Sequence, residues 1–219
     1  MTSREFRERL IRRARRAKLT IAPETTEALE AYFALLARWN EKINLTALPL
    51  RTPTDETFDR LLIEPLAAAR SVANEPEIWV DLGSGGGSPA IPIKVTRPKL
   101  KLTMVEAKVR KAAFLREAVR TLNLGEAAVE NVRIETLATN PDRRRSASLV
   151  TVRAVKADAA LFSHAAELLT PRGRLFLFRP TNSPISARGF EHVETVQLTE
   201  APRAFLAILR HVFHVEQSH

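Results

Sequence analysis

The 219-residue sequence contains no cysteine, which excludes disulfide bonds, thiolate metal ligands and cysteine nucleophiles. It also contains no apolar run approaching the roughly 18 residues of a membrane span, and its basic N-terminus is not followed by the apolar core of a secretory signal. Hydrophobic residues make up 45% of the chain, enough for one sizeable core and one appended subdomain. We therefore expect a cytoplasmic globular protein without membrane association.

Histidine is scarce as well, with five residues in the whole chain. His211 and His214 lie three apart, a spacing that suits metal ligands only on a helix, and only Glu216 accompanies them. We expect no metal site.

Positive charge is concentrated at the N-terminus, where residues 1–20 carry a net +6 of the chain's +9. Two interpretations remain open: a surface for a polyanion, most plausibly nucleic acid, or the solvated face of an amphipathic helix, since apolar residues recur there at helical spacing. The basic residues are Arg4, Arg7, Arg9, Arg12, Arg13, Arg15, Arg16 and Lys18.

The order of elements predicts an α/β fold with an N-terminal helical subdomain at 1–74 and a second domain at 75–219. The first part reads as helices, the last of them at 57–71, which Pro65 should kink or divide near Glu64. Strands are predicted at 78–82, 100–106, 129–134, 149–153 and 175–179, alternating with helices at 89–95, 108–122 and 156–169. Such alternation predicts a doubly wound parallel sheet. Runs at 193–198 and 205–215 predict an antiparallel hairpin at its edge.

Four glycines lie within five positions, 83–87, directly after the predicted strand at 78–82. Glycines without a Cβ let backbone N–H groups approach a nucleotide-like ligand, and the helix that follows presents its positive end. A P-loop is excluded because no Gly-Lys-Ser/Thr follows. A weak dinucleotide fingerprint can be drawn as Gly85-x-Gly87-x-x-Ala90. A third interpretation uses the whole stretch Asp81-x-Gly83-x-Gly85-x-Gly87.

Two acidic residues at strand ends distinguish between these ligands by their charge. Asp81 ends a strand, where a carboxylate would meet the cationic ammonium of S-adenosyl-L-methionine rather than an anionic pyrophosphate. Glu106 ends the next strand, where it could accept hydrogen bonds from both ribose hydroxyls. For Glu106 the alternative is an acid that stabilises the N-terminus of the helix at 108–122. Charge therefore favours the sulfonium cofactor.

Five segments carry a family resemblance. They are Trp39-Asn40-x-x-x-Asn44-Leu45-Thr46, the stretch 81–92, Glu106-x-x-x-x-Lys111-x-x-Phe114-Leu115, Arg133-Ile134-Glu135 and Thr151-x-Arg153-Ala154-Val155. The first is the most specific, although Asn40 and Asn44 could also simply cap a helix end. The five segments occur in the order found in the RsmG (GidB) family, the ribosomal RNA small subunit methyltransferase G proteins, which the chain resembles over residues 25–180.

The resemblance implies a class I (Rossmann-like) methyltransferase that transfers a methyl group from S-adenosyl-L-methionine to N7 of a guanine in 16S rRNA of the small ribosomal subunit. It implies cofactor contacts by Gly83, Ser88, Ile134 and Glu135, besides those expected from Asp81, Gly85 and Glu106. It places Arg153 at the reaction centre, as a cofactor contact and a catalytic residue. We expect a monomer and infer no protein partner.

The chain departs from the family pattern at Leu61, Pro65, Ser88, Ala90 and Arg179-Pro180. The family usually has a large apolar residue at the position of Ser88, a glycine at that of Ala90 and Asp-Ser-Leu where this chain reads Glu64-Pro65-Leu66. These departures leave open a cofactor-binding RNA protein with reduced or lost activity. The weak dinucleotide fingerprint leaves open an NAD-dependent Rossmann oxidoreductase.

The residues suit N7 chemistry. Guanine N7 carries an in-plane lone pair and no proton, so positioning and electrostatics suffice without a general base. Pyrimidine C5 methylation would need a cysteine, which the chain lacks. Arg153 could bind guanine O6 or a phosphate, or could be a surface arginine at a strand end.

Overall fold

The computed structural model describes residues 1–200 and 203–212. Within them, a seven-stranded sheet has the order β3-β2-β1-β4-β5-β7-β6. Strands β1 to β5 run parallel, and β7 pairs antiparallel with both β5 and β6. The strands are β1 Ile78–Leu82, β2 Lys101–Val105, β3 Ala127–Glu130, β4 Ala147–Arg153, β5 Leu169–Arg179, β6 Phe190–Glu200 and β7 Arg203–His211.

Helices precede the sheet and connect its parallel strands. None of the described helices is long and apolar enough to cross a membrane. The α-helices are α1 Ser3–Arg16, α2 Pro23–Asn40, α3 Asp55–Phe58, α4 Glu64–Ala68, α5 Ala90–Thr96, α6 Val109–Thr121, α7 Ile134–Ala138 and α8 Ala159–Leu168. A π-helical segment, Asp59–Ile63, joins α3 to α4, and short 3₁₀ turns lie at Ala69–Ser71 and Pro141–Arg143.

Most of the predicted sheet is confirmed. Strand β1 has its predicted bounds, and the C-terminal hairpin does complete one edge of the sheet, although residues 213–215 of that prediction lie outside the described part of the chain. The strand predicted at 129–134 is wrong at its end, because β3 stops at Glu130 and Ile134 begins α7. A five-residue helix is too short to show a helical period, so Val132 and Ile134 gave the alternation of a strand.

The helical run from Asp55 to Ser71 is divided at Glu64, where the π segment ends and α4 begins, close to where a kink or division was predicted for Pro65. The chain widens into the π segment one turn earlier, and the N–H of Glu64 donates to the carbonyl of Asp59. A π-bulge shifts the hydrogen-bond ladder by one residue, which lets a proline without an N–H follow without breaking the helix.

The N-terminal helices pack on the sheet. Phe6, Phe33 and Phe58 form an aromatic cluster with centroid separations of 5.3 to 5.7 Å, and they share one hydrophobic core with Trp79 and Phe176 of the sheet. Burial of the apolar stripe confirms that α1 is an amphipathic helix. The division at 74 into a subdomain and a methyltransferase domain stays a prediction.

Candidate functional site

The carboxyl ends of β1, β2 and β4 meet at one edge of the sheet. Leu82 is paired with Val105 on one side and Val152 on the other. The chain then turns into residues 83–87, the glycine loop, whose first two N–H groups, from Gly83 and Ser84, both donate to the carbonyl of Val105 at 2.9 and 3.0 Å. The loop is thus tied to the edge where open α/β sheets bind their ligands.

Two loop positions require glycine. Gly83 and Gly87 have φ values of 74° and 84°, a region that side chains with a Cβ rarely adopt. A Cβ at Gly83 would lie 2.7 Å from Cγ2 of Val155, and one at Gly87 would lie 2.4 Å from Cδ1 of Ile91. The loop is held from the helical side as well, since the hydroxyl of Tyr32 donates to the carbonyl of Gly86 at 2.6 Å.

Asp81 lies beneath this loop and is only 1% exposed. The indole N–H of Trp79 donates to Oγ1 of Thr151 at 2.9 Å, and that hydroxyl donates in turn to Oδ1 of Asp81 at 2.5 Å. Because an indole can only donate, the single proton of Thr151 is directed at the carboxylate. Neither partner was predicted from the sequence, although Trp79 stands two residues before Asp81 and therefore shares its face of the strand.

The second oxygen of Asp81, Oδ2, is buried and has no hydrogen-bond partner among residues 1–200 and 203–212. Burial raises the pKa of this carboxyl to about 6. The hydroxyl of Ser84, which donates to the main-chain carbonyl of Asp81 at 3.1 Å, the hydroxyl of Thr151 and the charge of Arg153 lower this pKa. A buried carboxylate oxygen without a partner is costly. Oδ2 of Asp81 would therefore stabilise a ligand that brings a positive charge or a hydrogen-bond donor to it.

Glu106 serves the loop and the next helix at once. Its Oε2 accepts the N–H of Gly85 at 3.0 Å, and its Oε1 accepts the N–H of Lys108, the residue that caps α6, at 2.8 Å. The helix-terminus alternative is therefore part of its role. A carboxylate oxygen has two lone pairs, so each can still accept from a hydroxyl.

Arg153, the last residue of β4, is enclosed by three elements. Its Nη2 donates to Oε2 of Glu64 at 2.6 Å, and its Nη1 donates to the carbonyl of Arg60 at 2.5 Å and to Oγ of Ser88 at 3.2 Å. Its guanidinium lies over the ring of Phe178, 5.5 Å from the centroid. The side chain of Arg153 is 15% exposed and that of Glu64 2%, so Arg153 is not a free surface arginine.

This ion pair is almost fully withdrawn from water. Burial raises the pKa of Glu64 and lowers that of Arg153, while the attraction between the two charges opposes both shifts. In such surroundings, removal of one partner would leave an uncompensated buried charge. The departures at Pro65 and Ser88 both lie at this pair.

The other residues predicted from the family resemblance are Ile134, Glu135 and Asn40. Ile134 is partly buried and packs against the hydrophobic cluster that contains Leu82 and Val105, whereas Glu135 is exposed on α7. Asn40 accepts the N–H groups of Leu45 and Thr46 at 2.8 and 3.0 Å, so its side-chain oxygen holds the loop that follows α2. The helix-capping interpretation stays a prediction.

No cluster of three or more histidines and acids that could hold a metal ion occurs in the described ranges. His211 contacts the carbonyl of Thr170 at 3.2 Å and the ring of Phe190, while His214 and Glu216 lie outside those ranges.

Solved structures share the fold. A SAM-dependent methyltransferase from Aquifex aeolicus superposes with a TM-score of 0.53 at 14% identity, over 70% of this chain and 93% of that one. MtNAS in complex with MTA and tNA gives a TM-score of 0.58 at 14% identity, over 83% and 71%. The seven-stranded sheet is thus that of a class I, Rossmann-like methyltransferase, as predicted.

Sequence relatives are more specific. A protein named ribosomal RNA small subunit methyltransferase G from Paracoccus denitrificans is 40% identical over 157 residues, which cover 72% of this chain and 77% of the relative. The protein of that name from Roseiflexus sp. is 34% identical over 166 residues, covering 76% and 70%. The family model for rRNA small subunit methyltransferase G matches residues 25–206. With most of its length matched, the chain belongs to the rRNA small subunit methyltransferase G family.

Proposed function

We propose that this protein transfers a methyl group from S-adenosyl-L-methionine to N7 of a guanine in 16S rRNA. Membership of an rRNA methyltransferase family supports the reaction class and favours it over the oxidoreductase alternative. The observation that carries the choice of cofactor is Oδ2 of Asp81, a buried and unpartnered carboxylate oxygen under the glycine loop. It is chemically suited to an ammonium group and unsuited to a pyrophosphate.

The residues around the loop fit S-adenosyl-L-methionine. Asp81 would hold its ammonium group, and Glu106 would accept from its ribose hydroxyls with the lone pairs that its two backbone donors leave. Gly83 and Gly85 would allow the backbone to approach the cofactor. Ile134 and Glu135 would line the adenine, and Ser88 would contact the cofactor; these three contacts follow from family resemblance.

The reaction needs little from the protein beyond placement. When bound, the cofactor supplies a methyl group on a positively charged sulfur. The lone pair of guanine N7 forms the new N–C bond while the S–C bond breaks and its electrons stay on sulfur, so the positive charge moves to the base. No proton is removed, and the chain therefore needs to orient the base and exclude water.

Arg153 is the residue that we assign to the base. It stands at the carboxyl end of β4, next to the strand that carries Asp81. Its three hydrogen bonds to described residues leave two of its five N–H groups, on Nε and Nη2, for guanine O6 or a phosphate.

The RNA partner also suits α1. Arg12, Arg15 and Arg16 are exposed and form no ion pair with the described residues, whereas Arg7 and Arg9 are paired with Glu30 and Asp55. The free arginines leave a compact positive face for phosphates. We further propose that the protein acts as a cytoplasmic monomer on the small ribosomal subunit.

The test is methyl transfer in vitro. Purified protein, methyl-labelled S-adenosyl-L-methionine and 16S rRNA or small subunits from cells in which the gene is deleted should yield labelled 7-methylguanosine in digested RNA, identified by mass spectrometry. Label in a different nucleoside would refute the N7 assignment. Cofactor binding with no label on either RNA substrate would favour the inactive RNA-binding alternative.

A further inference from the structure

Pro65 removes the one backbone N–H that would donate to either of two successive carbonyls of the π segment. In an α-helix the N–H of residue 65 would donate to the carbonyl of Leu61, and in a π-helix to that of Arg60. Proline has no N–H. The preceding N–H, that of Glu64, is already bonded to Asp59.

Both carbonyls are used by side chains from the site. The hydroxyl of Ser88 donates to the carbonyl of Leu61 at 3.0 Å, and Nη1 of Arg153 donates to that of Arg60 at 2.5 Å. Ser88 and Arg153 are themselves joined at 3.2 Å. The π segment, the residue after the glycine loop and the end of β4 are thereby connected by one ring of hydrogen bonds.

Glu64 completes the arrangement from the same helix. Its carboxylate binds the other terminal nitrogen of Arg153 at 2.6 Å, so the two Nη atoms are held by neighbouring residues of one turn. The ring of Phe178 lies on a face of the guanidinium. A planar group held at two nitrogens and one face has little freedom to rotate.

We propose that Glu64 and Pro65 are positioning residues for the methyl transfer, because together they fix the orientation of Arg153 beside the glycine loop. This inference rests on the proposed function. Glu64 has a second effect: transfer to N7 moves a positive charge onto the guanine, and a lone arginine beside it would repel that charge. The Glu64 carboxylate, whose Oε1 also lies 3.9 Å from Nη1 of Arg60, offsets the charge of Arg153 and reduces this repulsion.

The sharpest variant is Pro65→Ala, which restores a backbone N–H without removing any side-chain group that binds Arg153. Alanine favours a helix by up to about 3 kcal/mol over proline, so the melting temperature should stay equal or rise. The new N–H should compete for the Arg60 and Leu61 carbonyls and loosen Arg153. We expect kcat to fall about tenfold with KM for RNA nearly unchanged.

Substitutions at Glu64 and Ser88 test the other hydrogen bonds that hold Arg153. Glu64→Gln keeps an oxygen acceptor but leaves Arg153 with an uncompensated charge, and should lower kcat more than Pro65→Ala does. Ser88→Ala should lower kcat, and Ser88→Thr, which keeps the hydroxyl, should restore it. Pro23→Ala is the matched control, because Pro23 begins α2, where its N–H would have no intrahelical acceptor.

A spectroscopic readout separates positioning from general stability. The guanidinium signals of Arg153, assigned by their loss in Arg153→Lys, should show slow rotation about the Cζ–Nη bonds in the native protein and fast rotation in Pro65→Ala and Glu64→Gln. Folded variants with unchanged rotation and unchanged kcat would overturn the inference. If Pro65→Ala fails to fold, Glu64→Gln and the pair of Ser88 variants decide the matter. A native protein that transfers no methyl group would refute the proposed function alone. The rotation of the Arg153 guanidinium would still test whether Glu64 and Pro65 fix its orientation.

Discussion

Thr151 donates its only hydroxyl proton to Asp81 across the β1–β4 pair, at 2.5 Å, while accepting the indole N–H of Trp79. The hydroxyl therefore gives the carboxylate a fixed direction, with Oδ1 held and Oδ2 left for a ligand. Since all three side chains lie in the core of the sheet, this arrangement exists before any cofactor binds.

Thr151→Val should disrupt that arrangement at almost constant volume. It removes the acceptor of Trp79 and the donor of Asp81, and each buried group left unpaired costs about 1–3 kcal/mol. We expect a clear loss of unfolding free energy and weaker binding of S-adenosyl-L-methionine by calorimetry. Thr151→Ser keeps the hydroxyl and should preserve most of the affinity; equal affinities for the valine and serine variants would show that the hydroxyl does not orient Asp81.

Asp81→Asn should separate binding from folding. The amide oxygen can still accept from Thr151, but the negative charge that attracts an ammonium is gone, so affinity for the cofactor should fall at least about a hundredfold, a loss of roughly 2.7 kcal/mol. The melting temperature should not fall, because burial disfavours the carboxylate. Asp142→Asn, which alters an exposed acid, is the control. Undiminished binding by Asp81→Asn would refute the cofactor assignment.

The affinity should also depend on pH. With a pKa of about 6 for Asp81, the carboxylate fraction falls roughly tenfold between pH 7 and pH 5. Binding that needs the carboxylate should weaken by about that factor over the same range. Calorimetric titrations at several pH values measure it, and a flat profile from pH 7 to pH 5 would mean that Asp81 does not meet the cation.

Stability should change with pH in the opposite sense. The folded pKa of Asp81, about 6, is raised above the ordinary value of 3.8, so below pH 3.8 both states are protonated and the burial costs nothing. The free energy of unfolding falls as pH rises from 3.8 towards 6, because in this range the Asp81 carboxyl is ionised in the unfolded chain but still protonated in the folded protein. Asp81→Asn should therefore exceed the native protein in unfolding free energy at pH 7 and lose that advantage near pH 4. Denaturant titrations at both pH values test this; an advantage that persists at pH 4 would have another cause.

The free arginines of α1 should contribute to RNA binding through phosphates. Deleting the helix would be uninformative, because Phe6 and Leu10 belong to the core. Replacing Arg12, Arg15 and Arg16 by glutamine should weaken binding to 16S rRNA and reduce the slope of log K against log salt by about 2 to 3, near 0.7–0.9 for each phosphate contact.

The control for this experiment removes the same charge elsewhere. Lys99, Lys101 and Arg120 are exposed, and they lie near the amino edge of the sheet, at the start of β2 and the end of α6, away from the carboxyl edge. Their replacement by glutamine should change the slope much less. Equal slopes for the two triple variants would show that α1 acts only through net charge.

Local signals predicted the parts of the fold that depend on neighbouring residues. The apolar stretch 78–82, followed by four clustered glycines, predicted β1, the glycine loop and the place of Asp81. It did so because a strand, a turn and a helix start each have their own composition. The role of Glu106 was only half predicted, since the acceptor of the Gly85 N–H depends on how the loop folds back over β2.

The environment of Arg153 could not be predicted in the same way. Its partners Arg60, Glu64 and Ser88 lie 93, 89 and 65 residues away in the sequence. Nothing in the local pattern shows that the helical run widens before Pro65, or that freed carbonyls face the site. Residues that appeared as separate departures from a family pattern were in fact neighbours in space.

The bond between the Ser88 hydroxyl and the Leu61 carbonyl joins two of those departures physically. A proline at position 65 has no N–H to offer that carbonyl, and the small hydroxyl residue at position 88 donates to it. We therefore expect the two substitutions to have been inherited together. Among relatives, proline at the first position should accompany serine or threonine at the second, and lineages that keep a helix N–H at 65 should be free to carry a large apolar residue at 88.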